Sequence, residues 1–293
     1  MTNKSRLLLP LICASAFQMA TLTMSAPAHA QNAFYKAVDF QNAVAGNYIW
    51  NEANTDFSSG YGNIQVTNGL SSSESTPGRC SIDAYSNGSK ALIASYPAQQ
   101  YGPNTSGAQW QVPVIARDEY FLEYRVKFGP NFQWVQGGKL PGLGGGTLPS
   151  GGYYSPDGFS SRYMWRAGGK LVVYFYWADQ SSKNNAAGLQ YGQDIDCNTT
   201  FVPDTSYFLR QRIKLNTPGQ SNGILQVWVN NMTTPVVTIN NLRFRTDNTK
   251  TWQINKFWFS TFFGGNDSTW APTTAQTALF DDFKIWSPSV SSS

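Results

Sequence analysis

From residue 119 onward the chain repeatedly alternates apolar and polar side chains with a period of two. That is the period of a β-strand with one buried face, and it constrains the fold more than any other feature. Tyr120, Leu122, Tyr124, Val126 and Phe128 alternate with Phe121, Glu123, Arg125 and Lys127. Leu209, Gln211, Ile213 and Leu215 alternate with Arg210, Arg212 and Lys214, and Leu225, Val227 and Val229 with Gln226 and Trp228. Phe257 to Phe263 and Leu279 to Trp286 extend the set, and Asn230-Asn231 suits a turn between strands. Gly, Asn, Pro and Ser clusters separate these runs, and no long segment keeps a helical period. No internal repeat or linker-like change of composition divides them. The expectation is an all-β chain whose residues 31–286 form a single jelly-roll β-sandwich. Residues 137–158, with nine glycines and three prolines, read as a loop. This is no phosphate loop, because Lys139 is followed by Leu140-Pro141 and not by Ser or Thr opening a helix.

The first thirty residues read differently. Lys4 and Arg6 precede a mostly apolar run from Leu7 to Ala20, and Ala28-His29-Ala30 offers a small-x-small cleavage site. Pro10, Ser15 and Gln18 interrupt a run already short for a bilayer span. Residues 1–30 are therefore expected to be an export signal, leaving a secreted or periplasmic protein with a frayed Ser/Pro tail over 287–293. Loss of the signal lowers the net charge from +4 to +2, too little to suggest nucleic acid as a partner. The sole histidine, His29, leaves with it, and so do Ser-His-Asp, Cys-His and His-ligated zinc chemistry. Cys80 and Cys197 remain, and an even pair in an oxidising compartment reads as one disulfide. Closing so long a loop would contribute about 4–5 kcal/mol in the chain-entropy model. No later segment is a membrane span, and a monomer is expected.

Three segments stand out: Gly137-Gly138-Lys139-Leu140-Pro141-Gly142-Leu143, Gly158 to Arg166 (GFSSRYMWR), and Leu171 to Trp177 (LVVYFYW). Read as strands, the second places Ser160, Arg162 and Met164 on one side and Ser161, Tyr163 and Trp165 on the other. The third places Tyr174 and Tyr176 together, opposite Val173, Phe175 and Trp177. Ala167-Gly168-Gly169 suits a hairpin that would make the two strands neighbours. Ser160, Arg162, Tyr174 and Tyr176 would then share a face, with Lys139 entering from the preceding loop. Spacing alone fits equally well a sheet whose exposed side carries polar and tyrosine residues. An aromatic content of 15% against 13% charged residues suits a surface that binds sugars, and equally a plain aromatic core.

GGKLPGL, then FSSRYMWR, then YFY resembles the core pattern of polysaccharide lyase family 14, the alginate and glucuronate lyases. Arg212-Ile213-Lys214-Leu215-Asn216 with Gly219 and Asn222-Gly223, and Ser260-Thr261-Phe262-Phe263-Gly264-Gly265, add to the resemblance. It spans residues 119–286, and residues 31–118 carry no comparable signal. The resemblance implies a jelly roll with a concave substrate cleft. It also implies a functional lysine at Lys139, a Ser-x-Arg pair at Ser160 and Arg162, and a tyrosine pair at Tyr174 and Tyr176. The expected activity is β-elimination on a uronic-acid polymer of the alginate or glucuronan type. Lys139, Arg162, Tyr174 and Tyr176 are the expected catalytic set, with Ser160, Arg210, Arg212 and Trp228 binding the polyanionic substrate.

The chemistry needs such residues. The C5 proton of a uronate is barely acidic beside an ionised carboxylate, so a cation must hold that carboxylate and stabilise the enolate-like transition state. A base takes the proton and an acid protonates the departing O4, tasks open to tyrosine and to a partly desolvated lysine. No metal or organic cofactor is called for. A glycoside hydrolase would need two carboxylates about 5–10 Å apart. Glu119 and Glu123, four residues apart in a strand, are about 13 Å apart. A non-catalytic sugar-binding module would share the fold but has no need of clustered Lys, Arg and paired Tyr. Asp194 with Asp196, or Asp281 with Asp282, could ligate a structural calcium.

Overall fold

The computed structural model describes residues 35–58, 67–73, 75, 78–86, 88–181 and 187–288. The expected signal, residues 1–30, and the end of the expected tail, 289–293, lie outside them, while Ser287 at the start of that tail is buried.

Two antiparallel sheets form a jelly-roll β-sandwich. The larger contains, in spatial order, β14 (Val237–Leu242), β13 (Gly223–Val229), β12 (Ser206–Lys214), β7 (Glu119–Phe128), β16 (Gln276–Trp286), β5 (Ser89–Tyr96), β4 (Cys80–Ser86) and β2 (Gly46–Asn47). β1 (Tyr35–Val38) pairs with the end of β16. The second sheet runs β11 (Gln193–Thr200), β10 (Lys170–Tyr176), β9 (Gly158–Arg166), β8 (Gly137–Gly146), β15 (Ile254–Phe263), β6 (Ala108–Arg117) and β3 (Thr67–Asn68). The one α-helix among the described residues, α1 (Trp50–Ser58), packs Phe57 into the core against Phe257 and Phe283.

The period-two runs sort as strand geometry dictates. Tyr120, Leu122, Tyr124, Val126, Leu209, Ile213, Leu225 and Val227 are fully buried between the sheets, with Trp110, Trp165 and Phe259 facing them. Trp110 and Phe259 stack at 3.9 Å with ring planes 7° apart, an arrangement that adds about 0.5–1.5 kcal/mol beyond area burial. Aromatic content thus fills the core first. The apolar Met164, Val172, Tyr174 and Tyr176 form a separate buried cluster on the other face of the second sheet.

Two expectations are corrected here. Residues 137–146 are not loop but strand β8, paired with β9 and β15. Its glycines answer to crowding, not turning. A Cβ on Gly138 would lie 2.1 Å from the Trp165 ring, and one on Gly142 would lie 1.9 Å from the Ser161 carbonyl oxygen. Only 147–157 bridges the strands as a loop. The disulfide is also absent: Cys80 and Cys197 are both free and buried. Arg79, beside Cys80, donates to the Gly107 carbonyl at the start of β6, and four strands separate β6 from β11, which carries Cys197. Five strand spacings are about 24 Å, far beyond disulfide reach. Burial instead pushes each thiol up to about 12.

The register of β16 shifts between Asp281 and Lys284, and Asp282 adopts a left-handed φ of 53°. Asp282 pairs with Arg125 at 2.7 Å, whereas Asp281 is 2% exposed and its Oδ1 finds no hydrogen-bond partner.

Candidate active site

On the outer face of the second sheet, pairing aligns side chains in rows across the strands. One row reads Gln111 in β6, Trp258 in β15, Gly142 in β8, Arg162 in β9, Tyr174 in β10 and Asp194 in β11. A parallel row sets Phe262, Lys139 and Met164 side by side. Trp258, Arg162, Tyr174 and Asp194 of the first row and Phe262 and Lys139 of the second line a cleft of about 820 Å³, together with Ser150, Gly151, Asn266 and Trp270. Glycine at 142 leaves the space between Trp258 and Arg162 open, so the guanidinium lies over the Trp258 ring at 4.0 Å.

Arg162 is 2% exposed; among the described residues its Nη1 reaches only Ser260 Oγ, at 3.4 Å, and its Nε has no partner. Burial lowers its pKa to about 10, against the opposing pull of Tyr174 and Tyr176. Lys139 Nζ sits over the Tyr174 ring at 4.0 Å and donates to Met164 Sδ at 2.8 Å. Burial, then Arg162 and Arg166, hold the lysine well below the usual ammonium range, and only Asp194 opposes them. No carboxylate pairs with Lys139 or Arg162 among the described residues. Leaving a buried cation uncompensated costs several kcal/mol, so this floor favours an anion.

The tyrosine hydroxyls can be ordered by counting protons, since each has one to give and two lone pairs to offer. Tyr176 Oη accepts from the Gly152 amide at 2.9 Å and lies 3.2 Å from Tyr174 Oη. Tyr176 is wholly buried, so its proton goes to Tyr174. Tyr174 Oη also accepts from the Gly192 amide at 3.2 Å. Both its lone pairs are then occupied, and its own proton points into the cleft that it lines. Burial, reinforced by Tyr176, raises the Tyr174 pKa, so the phenol stays protonated across the neutral range.

The structure brings Lys139, Arg162 and Tyr174 to the cleft surface and sets Tyr176 and Ser160 beneath it. Lys139 comes from strand β8, not from a loop. The Ser160 hydroxyl is fully buried and donates to the Pro149 carbonyl at 2.6 Å, so with Tyr176 it pins the 147–157 loop. Ser160 is thereby removed from direct substrate binding. Arg210, Arg212 and Trp228 are not at the site, because their strand parity turns them to the outer face of the other sheet. There Arg210 pairs with Glu123 at 2.5 Å and Arg212 with Glu119 at 2.7 Å, and Arg210 lies 5.9 Å from the Trp228 ring centre. The two glutamates are thus ion-pair partners.

Three of the four candidate calcium ligands are engaged in ion pairs. Asp194 pairs with Arg166, Asp196 with Lys170 and Asp282 with Arg125. Among the described residues no three His, Cys, Asp or Glu gather where they could hold a metal ion. Arg166, Trp258 and Trp270 also line the cleft, with no role expected for them from sequence, and Asp194, expected only as a calcium ligand, lines it as the partner of Arg166. Arg166 was within reach of that reading, being four residues beyond Arg162 and so on the same strand face.

The Polysaccharide lyase 14 family model matches residues 84–283, more than half of the chain. No curated protein matches it. Among solved structures, alginate lyase Aly36B is similar at 24% identity over 88% of this chain and 98% of its own, with a TM-score of 0.69. The marine PL-14 alginate lyase from Aplysia kurodai is 25% identical over 84% of this chain and 98% of its own, with a TM-score of 0.65. Alginate lyase vAL-1 from Chlorella virus is 20% identical over 83% and 98%, with a TM-score of 0.63.

Proposed function

The chain belongs to polysaccharide lyase family 14 and is a polysaccharide lyase of uronic-acid polymers; we propose that Lys139, Arg162 and Tyr174 carry out its β-elimination on alginate. The observation that carries this reading is the buried Arg162 beside the half-buried Lys139 on the cleft floor, neither with a carboxylate partner among the described residues. Arg162, held by Trp258 and Ser260, receives the uronate carboxylate and stabilises the charge that develops on it as the C5 proton leaves.

The opposite pKa shifts support dividing the two proton transfers between Lys139 and Tyr174. Burial, with Arg162 and Arg166, lowers the Lys139 pKa, which favours Nζ as the acceptor of the C5 proton. A tyrosine held high keeps its proton and delivers it to O4 as the C4–O4 bond breaks. The C5–H electron pair becomes the C4–C5 double bond, and the proton returns from Lys139 to Tyr174 through solvent or the substrate. Arg162 and the Gly192 amide stabilise the transient phenolate. Tyr176 and Ser160 serve as positioning residues through the loop that they anchor.

Alginate is proposed because the three similar structures are of alginate lyases. Export is proposed from the basic start, apolar run and Ala28-His29-Ala30 pattern. The test is incubation of the protein with alginate and glucuronan, following both the ultraviolet absorbance of the conjugated double bond and new reducing ends. Both signals are expected from alginate, in the presence of EDTA. Reducing ends without absorbance would indicate hydrolysis and refute the assignment.

A further inference from the structure

We propose that Arg166 is a second carboxylate-binding residue of the cleft, that Asp194 is its positioning residue, and that together they hold the uronate next to the one being cleaved. The inference rests on the uronan-lyase reading of the same cleft and adds a neighbouring sugar position to it.

Arg166 ends β9, and its side chain leaves that strand on the same face as Arg162. Its guanidinium lies 5.4 Å from the centre of the Tyr174 ring, which also carries Lys139 Nζ at 4.0 Å. Arg166 is therefore beside the reacting groups without sharing their position. Asp194, the cross-strand neighbour of Tyr174, grips one edge of that guanidinium, with Nε–Oδ2 at 2.8 Å and Nη2–Oδ1 at 2.6 Å. A guanidinium has two edges able to take a carboxylate in bidentate fashion. Here Nη1 makes no hydrogen bond to any described residue, and Nη2 gives only one of its two protons to Asp194, so the Nη1–Nη2 edge can still take a carboxylate.

Asp194 is the sole carboxylate among the described residues that line the cleft. Taken alone it would repel a polyanion. Paired in this way it fixes the plane of Arg166 and turns the free edge outward, at the cost of part of the long-range attraction. The side chains of Arg166 and Asp194 remain 24% and 39% exposed, so a substrate carboxylate can reach the pair. Adjacent uronates each carry one carboxylate, and the cleft accordingly offers two cationic positions, one buried at Arg162 and one at its rim.

Binding of a saturated alginate hexasaccharide is measured by calorimetry in a Lys139→Ala background, where turnover does not interfere. Adding Arg166→Met, which keeps length and removes charge, should weaken binding at least about tenfold, or about 1.4 kcal/mol. Adding Asp194→Asn should weaken it by a smaller factor, because the charge remains and its orientation is lost. Affinity within twofold of the parent for Arg166→Met would overturn the proposal. So would tighter binding by Asp194→Asn, which would make the carboxylate a repeller and nothing more. The wild-type ultraviolet assay runs in parallel and separates the two readings. Unsaturated product with Arg166-independent binding sinks this proposal alone, whereas Arg166-dependent binding without unsaturated product upholds it and sinks the lyase assignment.

Discussion

Replacing Asp281 with asparagine should stabilise the protein, and should do so in a pH-dependent way. Burial pushes this carboxyl up to about 7, with the neighbouring Asp282 charge adding to the shift and the Asp282 amide and Arg125 opposing it. In the unfolded chain it titrates near its ordinary value of about 4. Below pH 4 both states are protonated, and the group contributes no difference. Between pH 4 and 7 the unfolded chain ionises while the native carboxyl keeps its proton, so stability falls steadily through that window. Above pH 7 both states are ionised and the penalty is constant. Three units at about 1.4 kcal/mol each set a ceiling of about 4 kcal/mol. Relaxation around the Tyr85 hydroxyl, 3.5 Å away, and Arg125 makes about 2 kcal/mol the working figure. Asparagine removes the ionisation while keeping the shape. Asp281→Asn should therefore match the parent in Tm near pH 3.5 and exceed it by about 4–8 °C at pH 8. Thermal denaturation at the two pH values, with circular dichroism as readout, measures this. An equal Tm difference at both pH values, or a less stable variant at pH 8, would refute the reasoning. Lyase turnover should be unchanged, because Asp281 belongs to the sheet that does not carry the cleft.

Tyr174→Phe should lose at least about 10²-fold in kcat with Tm preserved, the scale of general acid–base catalysis, while Tyr176→Phe should lose less because it acts through Tyr174 and the Gly152 loop. Steady-state kinetics on alginate check the order, and a larger loss at Tyr176 would reverse the assignment. Gly142→Ala should lower both Tm and kcat, since its Cβ would lie 1.9 Å from the Ser161 carbonyl oxygen and overpacking of this kind costs about 1–3 kcal/mol or more. Unaltered melting and turnover would show that β8 and β9 separate freely. Protein lacking residues 1–30 should yield two titratable thiols after denaturation, and reductant should leave its Tm unchanged; absence of free thiol would restore the Cys80–Cys197 bridge.

The β-sandwich was legible because inward and outward residues alternate so regularly in β7, β12 and β13. The hairpin of β9 and β10 was legible from Ala167-Gly168-Gly169, which supplies the positive φ that the turn uses at Gly168. Glycine is ambiguous in sequence, however. The residues of β8 look like loop because their reason for being glycine lies in the Trp165 ring and the Ser161 carbonyl, contacts made across the sheet. The place of Asp194 in the cleft was hidden for a similar reason. Its position beside Tyr174 follows from the pairing of β10 with β11 across a long connection, and no local pattern encodes that register. Arg210 and Arg212 show the converse limit. Their charge suits a polyanion, but parity and their glutamate partners place them on the far face.

The measurement that bears most directly on uronate β-elimination in this cleft is the mass of the oligosaccharides released from alginate by the wild type and by Arg162→Gln. The wild type should release products one water lighter than those of hydrolysis, each with a conjugated double bond at its new non-reducing end. Arg162→Gln keeps polar contacts but removes the buried cation, and should release essentially none while remaining folded. Products carrying the full mass of water addition, or unsaturated products formed by Arg162→Gln at the wild-type rate, would contradict the account.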